Sequence, residues 1–349
     1  MRKINNIQGL RGIAVLFVVL FHLTKIEEKY GGNITILPDI FNFGMIGVDF
    51  FFVISGFIMI YISHDKFQSF ENSKNFLYRR FARIYPTYWF YTIIVLIIFI
   101  IKPSMVNSSQ GNQVDILASF LLYPSNILPM VMVGWTLIHE VYFYCFFFLL
   151  FWLTPEKYIV KYLLIWAIII IVLRLLLDTL FLQSPLINLL THPLTLEFIT
   201  GAIFGKFFLI YQNIHFKSIY LMLIGFVIIT LSGYSFYVQG YIPPQEWLRV
   251  VYLGIPALII LIISVFLENN NVLFPKFLTY IGNASYSIYL SHILTLSALG
   301  HLWKYFSNDE IYDNLLVLPI ILVGAIVVGI ISYNFLEKPL LKFSRKYTL

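Results

Sequence analysis

The chain has 349 residues, of which 60% are hydrophobic and only 11% are charged. A soluble domain carries roughly 25% charged residues, so this composition excludes an ordinary soluble protein and indicates a membrane protein. The net charge of +6 is not evidence for nucleic-acid binding, because it follows from lysines and arginines concentrated on one side of the membrane.

Ten apolar segments have the length of about 17–25 residues that a membrane-spanning helix needs. Because the loops between them are short, we predict one all-α membrane domain over residues 1–349. The stretch 115–129 is too short and too interrupted to span, and we predict a surface helix or a re-entrant segment there. The predicted spans are approximately 8–24, 44–62, 84–101, 132–153, 160–178, 194–211, 218–234, 247–267, 279–302 and 314–335.

Lysines and arginines are distributed unevenly over the loops. With the N-terminus in the cytoplasm, sixteen of them lie on the inner side and four on the outer side. The positive-inside rule therefore predicts that both termini are cytoplasmic. The inner residues are Arg2, Lys3, Lys66, Lys74, Arg79, Arg80, Arg83, Lys157, Lys161, Lys206, Lys217, Lys276, Lys338, Lys342, Arg345 and Lys346, and the outer ones are Lys25, Lys29, Lys102 and Lys304.

Several ionisable residues lie inside the predicted spans, where such residues are energetically expensive and usually functional. They should face a polar interior, so we predict a water-filled cavity enclosed by about ten helices. These residues are Arg11, His22, Asp49, His139, Glu140, Arg174, Glu197, Arg249 and His292.

The first span contains "RGIAVLFVVLFH", which begins with Arg11 and ends with His22. Eleven steps of roughly 100° bring both side chains onto one helix face, about 16 Å apart along the axis. An imidazole can accept a proton near neutral pH, so His22 is a candidate general base. The alternatives are a packing role for His22 and a topological anchor role for Arg11.

The second span contains "GMIGVDFFFVISGF". An unpaired carboxylate at Asp49 would be costly, so this residue needs a partner. Ser55 and Gly56 follow in mid-membrane, where small residues usually indicate close helix packing. Asp49 and Ser55 are also candidates for binding a substrate.

The third span is preceded by "YRRFARIYP", at its predicted cytoplasmic entrance. Arg80 and Arg83 are spaced to share a helix face, and Arg79 adds a further charge. Arginine binds phosphate through two parallel hydrogen bonds, so the segment predicts an anion site. The alternative is that these charges only set the topology.

Two later segments, "GWTLIHEVYFY" and "IGNASYSIYLSH", place further polar groups inside spans. Glu140 is a further candidate catalytic residue. It lies roughly one turn beyond Trp135, which either belongs to the interfacial aromatic belt or binds substrate. The second segment indicates interhelical hydrogen bonds or a cavity wall. Its candidate substrate-binding residues are Ser285, Tyr286, Ser287 and His292. No segment has zinc-ligand spacing or a nucleotide-binding motif, so we predict no metal site.

Taken together, these motifs resemble the acyltransferase-3 family of integral membrane acyltransferases. The resemblance implies a ten-helix domain that uses cytosolic acyl-coenzyme A to O-acylate a carbohydrate, often a lipid-linked or cell-surface glycan. The commonest acyl group in that family is acetyl. The similar segments, in order along nearly the whole chain, are "IQGLRGIAVLFVVLFH", "GVDFFFVISGF", "RRFARIYP", "WTLIHEVYFY", "SYSIYLSH" and "LEKPL".

The resemblance also implies residue roles. It makes His22 the catalytic histidine and Arg11, Arg80 and Arg83 functional arginines. We expect arginines to hold the coenzyme A phosphates, while the pantetheine arm extends toward His22 over about 16 Å. His139 stands where relatives often have an acidic residue. Many relatives add an extracytoplasmic hydrolase-like domain, so this chain would be a stand-alone version.

The expected partners are acyl-coenzyme A as co-substrate, a carbohydrate acceptor and membrane lipid, with no bound cofactor and no nucleic acid. The expected location is a bacterial inner or plasma membrane, and no oligomeric state is predicted. The alternative function is export of a polysaccharide or a lipid-linked sugar. Export would explain a polar cavity equally well, but it explains the arginine–histidine spacing less well.

Overall fold

A computed structural model describes residues 4–32, 35–180, 184–240, 246–306 and 311–347. Arg2 and Lys3, which belong to the predicted inner charges, lie outside these residues. Across the described residues the protein is 83% helical and contains no strand. The predicted all-α class is therefore confirmed.

The helices follow one another along the chain with short connections. A 3₁₀ segment, Asp39–Met45, leads into α2, and π-helical segments at Val250–Gly254 and Tyr333–Glu337 lead into α11 and α15. The α-helices are α1 (Asn5–Tyr30), α2 (Ile46–Ser63), α3 (Phe70–Ile101), α4 (Ile116–Leu121), α5 (Gly134–Leu153), α6 (Ile159–Leu180), α7 (Pro185–Leu190), α8 (Thr195–Tyr211), α9 (Ser218–Val238), α10 (Glu246–Arg249), α11 (Ile255–Asn269), α12 (Lys276–Asn283), α13 (Ser285–Phe306), α14 (Ile311–Ser332) and α15 (Lys338–Ser344).

Nine helical segments among the described residues are long and apolar enough to cross a membrane. They correspond to nine of the ten predicted spans. The tenth, 279–302, falls mainly on α13, which has 22 residues and therefore sufficient length. It is not among the nine, because it carries several serines and histidines. The predicted start at 279 is wrong, because α12 ends at Asn283 and α13 begins separately at Ser285.

Helix α3 is much longer than its predicted span of 84–101. It has 32 residues and begins at Phe70, after Ser69, whose side chain accepts a hydrogen bond from the Asn72 backbone N–H. The arginines interrupt the apolar run but not the helix. They therefore lie on the same rigid element as the membrane-spanning part of α3.

The chain divides into two compact units, each assembled from two separate stretches of sequence. Unit 1 contains Met1–Ile54 and Tyr211–Phe335, and unit 2 contains Ser55–Ile210 and Leu336–Leu349. The single-domain organisation, the cytoplasmic termini and the water-filled cavity stay predictions.

In unit 1, α1 packs against α11, α12, α13 and α14. Buried carboxylates fix both of its ends. Glu268 accepts hydrogen bonds from the backbone N–H groups of Asn5 and Asn6 at 2.9 and 2.6 Å, and so satisfies amides that a helix start leaves without partners. Glu27 accepts two backbone N–H groups of the following loop at 2.7 and 3.0 Å. These contacts hold α1 in place, and with it Arg11 and His22.

In unit 2, α4 packs against the middle of α3. The Tyr88 hydroxyl donates to the Ser119 carbonyl at 2.8 Å, and the Trp89 indole N–H donates to the Phe120 carbonyl at 2.9 Å. Helix α3 continues for about 18 Å beyond Trp89 before it ends at Ile101. The two predicted alternatives for 115–129, a re-entrant segment and a surface helix, both stay predictions.

Helix α2 approaches α8 closely at Gly56, as the sequence predicts. A Cβ atom at Gly56 would lie 1.9 Å from the Phe198 carbonyl oxygen, which is far inside contact distance. Gly56→Ala should therefore push the two helices apart and lower the free energy of unfolding by about 1–3 kcal/mol. The thermal transition of the purified protein in detergent measures this effect.

The matched control is Gly225→Ala in α9, where a Cβ atom would make its nearest contact at 3.4 Å. Since alanine also favours a helix more than glycine does, this variant should be as stable as the wild type or slightly more stable. Equal transitions for the two variants would show that the α2–α8 approach is not close.

Candidate active site

Arg11 and His22 lie on one uninterrupted helix, and both side chains contact α13. The Arg11 guanidinium donates to the Ser285 hydroxyl at 2.8 Å. Farther along, Nδ1 of His22 lies 3.2 Å from Nε2 of His292. Because both reach the same neighbouring helix, the two side chains share a face of α1, as the spacing predicts.

The hydrogen bonds around His22 assign its tautomer. Nδ1 of His292 lies 2.7 Å from the Tyr289 carbonyl oxygen, so it carries the proton, and its Nε2 is an acceptor. Nδ1 of His22 lies 2.9 Å from the Val18 carbonyl oxygen and therefore donates, with His292 Nε2 as a second acceptor. This assignment leaves Nε2 of His22 with its lone pair. His22 is partly exposed whereas His292 is fully buried, so His22 is the more accessible of the two histidines.

Asp49 has the partner that its position requires. Nε and Nη2 of Arg249 donate to the two carboxylate oxygens of Asp49 at 3.0 and 2.9 Å. Asp49 is fully buried, and the side chain of Arg249 is 12% exposed. This bidentate ion pair links α2 to α10. A role for Asp49 in substrate binding stays a prediction.

A second polar group lies within unit 2, around Glu140. The Ser55 hydroxyl donates to Oε1 of Glu140 at 3.0 Å, and the Tyr144 hydroxyl donates to the same oxygen. The Arg80 guanidinium carbon lies 5.9 Å from the centre of the Tyr144 ring and 5.6 Å from that of Phe76. Tyr144 therefore contacts both Glu140 and Arg80.

The predicted anion site corresponds to an arginine pocket with a volume of about 430 Å³. It is formed by α3 and the C-terminal end of the chain, and the Tyr78 hydroxyl donates to the Ser344 carbonyl at 3.2 Å. The sequence singled out three of its four arginines but treated Arg345 only as a topological charge. The lining residues are Tyr78, Arg79, Arg80, Arg83, Leu341, Ser344 and Arg345.

A second concave site of unit 2, here called the amide pocket, has a volume of about 320 Å³. The ring of His139 lies 5.8 Å from the Trp135 ring and 4.6 Å from the His192 ring, measured between centres. Trp135 was a predicted substrate-binding residue, but nothing in the sequence singled out His192. The lining residues are Gln110, Pro124, Ser125, Asn126, Ile127, Leu128, Pro129, Trp135, Ile138, His139, Pro185, Asn188, Leu189 and His192.

The remaining candidates are dispersed. Tyr286 and Ser287 are buried in unit 1, and Glu197 is buried in unit 2. Arg174 donates to the side-chain oxygen of Asn188 at 3.4 Å. Within each unit, the predicted polar residues therefore belong to more than one group.

One cluster was not predicted. His64, Asp65 and Glu156 place side-chain ligand atoms within 4.8 Å of one another, which is close enough to hold a metal ion. However, Lys206 donates to Glu156 at 2.5 Å and compensates its charge. The arrangement is therefore a network of ion pairs that joins the end of α2 to α8.

Residues 4–334 match the profile of a family described as "Acyltransferase domain", Acyl_transf_3. The exopolysaccharide production protein ExoZ of Rhizobium meliloti is 30% identical over 339 residues, which cover 94% of this chain and 96% of ExoZ. The peptidoglycan O-acetyltransferase OatA of Listeria monocytogenes is 31% identical over 147 residues, 41% of this chain and 20% of OatA. The O-acetyltransferase OatA of Staphylococcus aureus is 24% identical over 378 residues, 98% of this chain and 58% of that protein. No solved structure matches the chain.

Proposed function

The chain belongs to the acyltransferase family whose profile it matches over residues 4–334, and on this premise we propose that it is a membrane O-acyltransferase acting on a glycan. The donor is acyl-coenzyme A, with acetyl as the first group to test, and the acceptor is a hydroxyl of a cell-surface or lipid-linked glycan. The names of similar proteins support this choice, since they refer to exopolysaccharide production and to O-acetylation of peptidoglycan. Because this chain spans 20% of the Listeria OatA and 58% of the Staphylococcus one, the activity is proposed and not transferred from them.

The observation that carries the proposal is the partly exposed His22, whose Nε2 keeps its lone pair because Nδ1 is engaged. In the proposed reaction, Nε2 takes the proton of a sugar hydroxyl as its oxygen attacks the thioester carbonyl. A C–O bond forms, the C–S bond breaks, and the departing thiolate receives the proton from the imidazolium. His292 holds the ring of His22 in the tautomer that this step needs.

The arginine pocket supports binding of the donor. Coenzyme A carries several phosphate groups, and arginine side chains bind phosphate through paired, charge-assisted hydrogen bonds. We assign the phosphates to Arg80 and Arg83, with Arg79 and Arg345 adding positive charge around the same pocket. With these residues on the cytoplasmic side, the donor would enter from the cytosol.

Arg83→Ala should weaken binding of acetyl-coenzyme A. Loss of one charge-assisted contact to phosphate should cost about 1.5–3 kcal/mol of binding free energy. Arg83→Lys should restore the affinity only in part, because a lysine ammonium lacks the planar fork. Titration of the purified protein in detergent with acetyl-coenzyme A measures the dissociation constant.

The control is Lys74→Ala, which removes an exposed positive charge from the same helix outside the arginine pocket. Its affinity for acetyl-coenzyme A should match the wild type. If folded Arg83→Ala also binds with wild-type affinity, the arginines serve membrane topology and not the donor.

The proposed reaction is tested with purified protein, acetyl-coenzyme A labelled in its acetyl group, and surface glycan isolated from a strain that lacks the gene. We expect label to pass to the glycan as an ester that mild alkali removes. Absence of alkali-labile label from glycan treated with a folded, donor-binding protein would contradict the proposed activity.

A further inference from the structure

The amide pocket has no part in the roles proposed so far for donor binding and proton transfer. It surrounds Trp135 in the first turn of α5, and the same helix carries Tyr144, against which Arg80 packs. The rise from Trp135 to Tyr144 is about 13 Å. Glu140 lies between the two positions. A single helix of unit 2 thus runs from the amide pocket to one of the arginines assigned to the donor.

The chemistry of the pocket selects a neutral, hydroxyl-rich ligand. Its side chains include three amides, a hydroxyl, two imidazoles and an indole, which together offer both donors and acceptors. Among the described residues, no lysine, arginine, aspartate or glutamate lines it. A phosphate or carboxylate ligand would call for arginine or lysine, as in the arginine pocket.

The amide groups keep hydrogen-bonding capacity for such a ligand. Gln110 uses its side-chain oxygen to accept the Leu128 backbone N–H at 2.8 Å, and Asn188 uses its oxygen to accept from Arg174. Both therefore retain their NH₂ donors. The side chain of Asn126 is exposed and makes no hydrogen bond within the described structure.

The size of the pocket matches one sugar ring. A volume of about 320 Å³ is at the small end of ligand sites, which is suited to a single ring and not to a lipid chain or an oligosaccharide. The indole of Trp135 offers an apolar face on which the C–H face of a sugar can lie.

The pocket is also preformed. The segment from Pro124 to Pro129 forms one wall and begins and ends with prolines, whose backbone freedom is small. Asn107 donates to the Leu128 carbonyl at 3.1 Å, and Gln110 holds the Leu128 amide from the same loop. A wall that is already ordered loses little entropy when a ligand binds.

From these observations we infer that the amide pocket binds one uncharged sugar residue of the acceptor glycan, with Trp135 beneath the ring and Gln110, Asn126 and Asn188 as its amide partners. The inference rests on the proposed function and names the acceptor subsite of that reaction.

The test uses the transfer assay with labelled acetyl-coenzyme A and surface glycan isolated from the strain that lacks the gene. Trp135→Ala should raise the KM for this glycan roughly two- to tenfold, the range expected for loss of one aromatic stacking contact. Asn188→Asp, which removes an NH₂ donor from the pocket at nearly constant shape while its carboxylate still accepts from Arg174, should also raise it. The dissociation constant for acetyl-coenzyme A should not change in either variant.

Trp152→Ala is the matched control, because this tryptophan lies on α5 outside the pocket and packs against Phe70 and Phe148. Its KM for the glycan should equal that of the wild type. If Trp135→Ala fails to fold, Asn126→Ala at the exposed pocket wall replaces it and should also raise the KM.

An unchanged KM for the glycan in folded Trp135→Ala and Asn188→Asp would overturn the acceptor subsite. A rise confined to the dissociation constant for acetyl-coenzyme A would also overturn it, by assigning the pocket to the donor. If the wild-type protein itself transfers no label to the glycan, the proposed function fails. That outcome is distinct from transfer that is insensitive to the pocket.

Discussion

His22→Gln should abolish acyl transfer while the protein remains inserted and folded. Glutamine can make a hydrogen bond where Nδ1 of His22 meets the Val18 carbonyl, but it cannot accept a proton at neutral pH. A general base contributes roughly 10²–10⁴-fold to the rate, so transfer should fall by about that factor. If His22 only packs, glutamine preserves a similar polar contact and the rate should stay near that of the wild type. The ester formed on the glycan and the thermal transition in detergent are both measured.

His292 provides the companion variants, because it contacts His22 and is fully buried. His292→Gln keeps an acceptor for the Nδ1 proton of His22 and should retain part of the rate. His292→Leu removes that acceptor and should lower the rate further, although His22 is still present. A folded His22→Gln variant with a near-wild-type rate would end the catalytic assignment and direct the search for a base to His292 or Glu140.

Asp49→Asn should destabilise the protein strongly. The substitution leaves the guanidinium of Arg249 largely buried without the carboxylate that now accepts hydrogen bonds from its Nε and Nη2. Removing one partner of a buried ion pair typically costs about 3–5 kcal/mol. The expected observation is a markedly lower thermal transition of the purified protein in detergent.

The double variant Asp49→Leu with Arg249→Met removes both charges and should recover much of the lost stability, since apolar replacements of buried pairs are often neutral. A wild-type transition for Asp49→Asn, accompanied by loss of transfer, would contradict a structural role. It would instead return Asp49 to the predicted substrate-binding residues.

Features that lie within one helix could be predicted, because the residue pattern of a helix repeats over a short stretch of sequence. The apolar segments locate nine helices, among the described residues, that are long and apolar enough to cross a membrane. The spacing of Arg11 and His22 fixes their common helix face. The close approach at Gly56 also follows from the residue type. Each of these depends on residues within one helix, where the periodicity is known in advance.

The partnerships between distant parts of the chain could not be predicted. Arg249 lies 200 residues from Asp49, and nothing in either segment identifies the other. His192 and Arg345 become site residues only because α5 and α3 bring other side chains beside them. Burial by tertiary packing, and not local pattern, decides these contacts.

The observed starts of α3 and α13 differ from the predicted ones for a physical reason. The hydropathy pattern predicts that α3 begins where its charged residues end. The arginines are nevertheless helical, because their side chains line a polar pocket beside α15. In the same way, α13 contains polar residues such as Ser291 and His292 that are buried inside unit 1. Polar residues within a helix therefore obscured both helices in the sequence.

The ester content of the surface glycan in the host tests whether this protein O-acylates a glycan. Mass spectrometry would compare a strain that lacks the gene, the same strain complemented with the wild type, and one complemented with His22→Gln. We predict alkali-labile acyl esters on the glycan only when the wild-type protein is present. The same ester content per sugar in all three strains would contradict the account, and less surface glycan with unchanged esters per sugar would favour the export function.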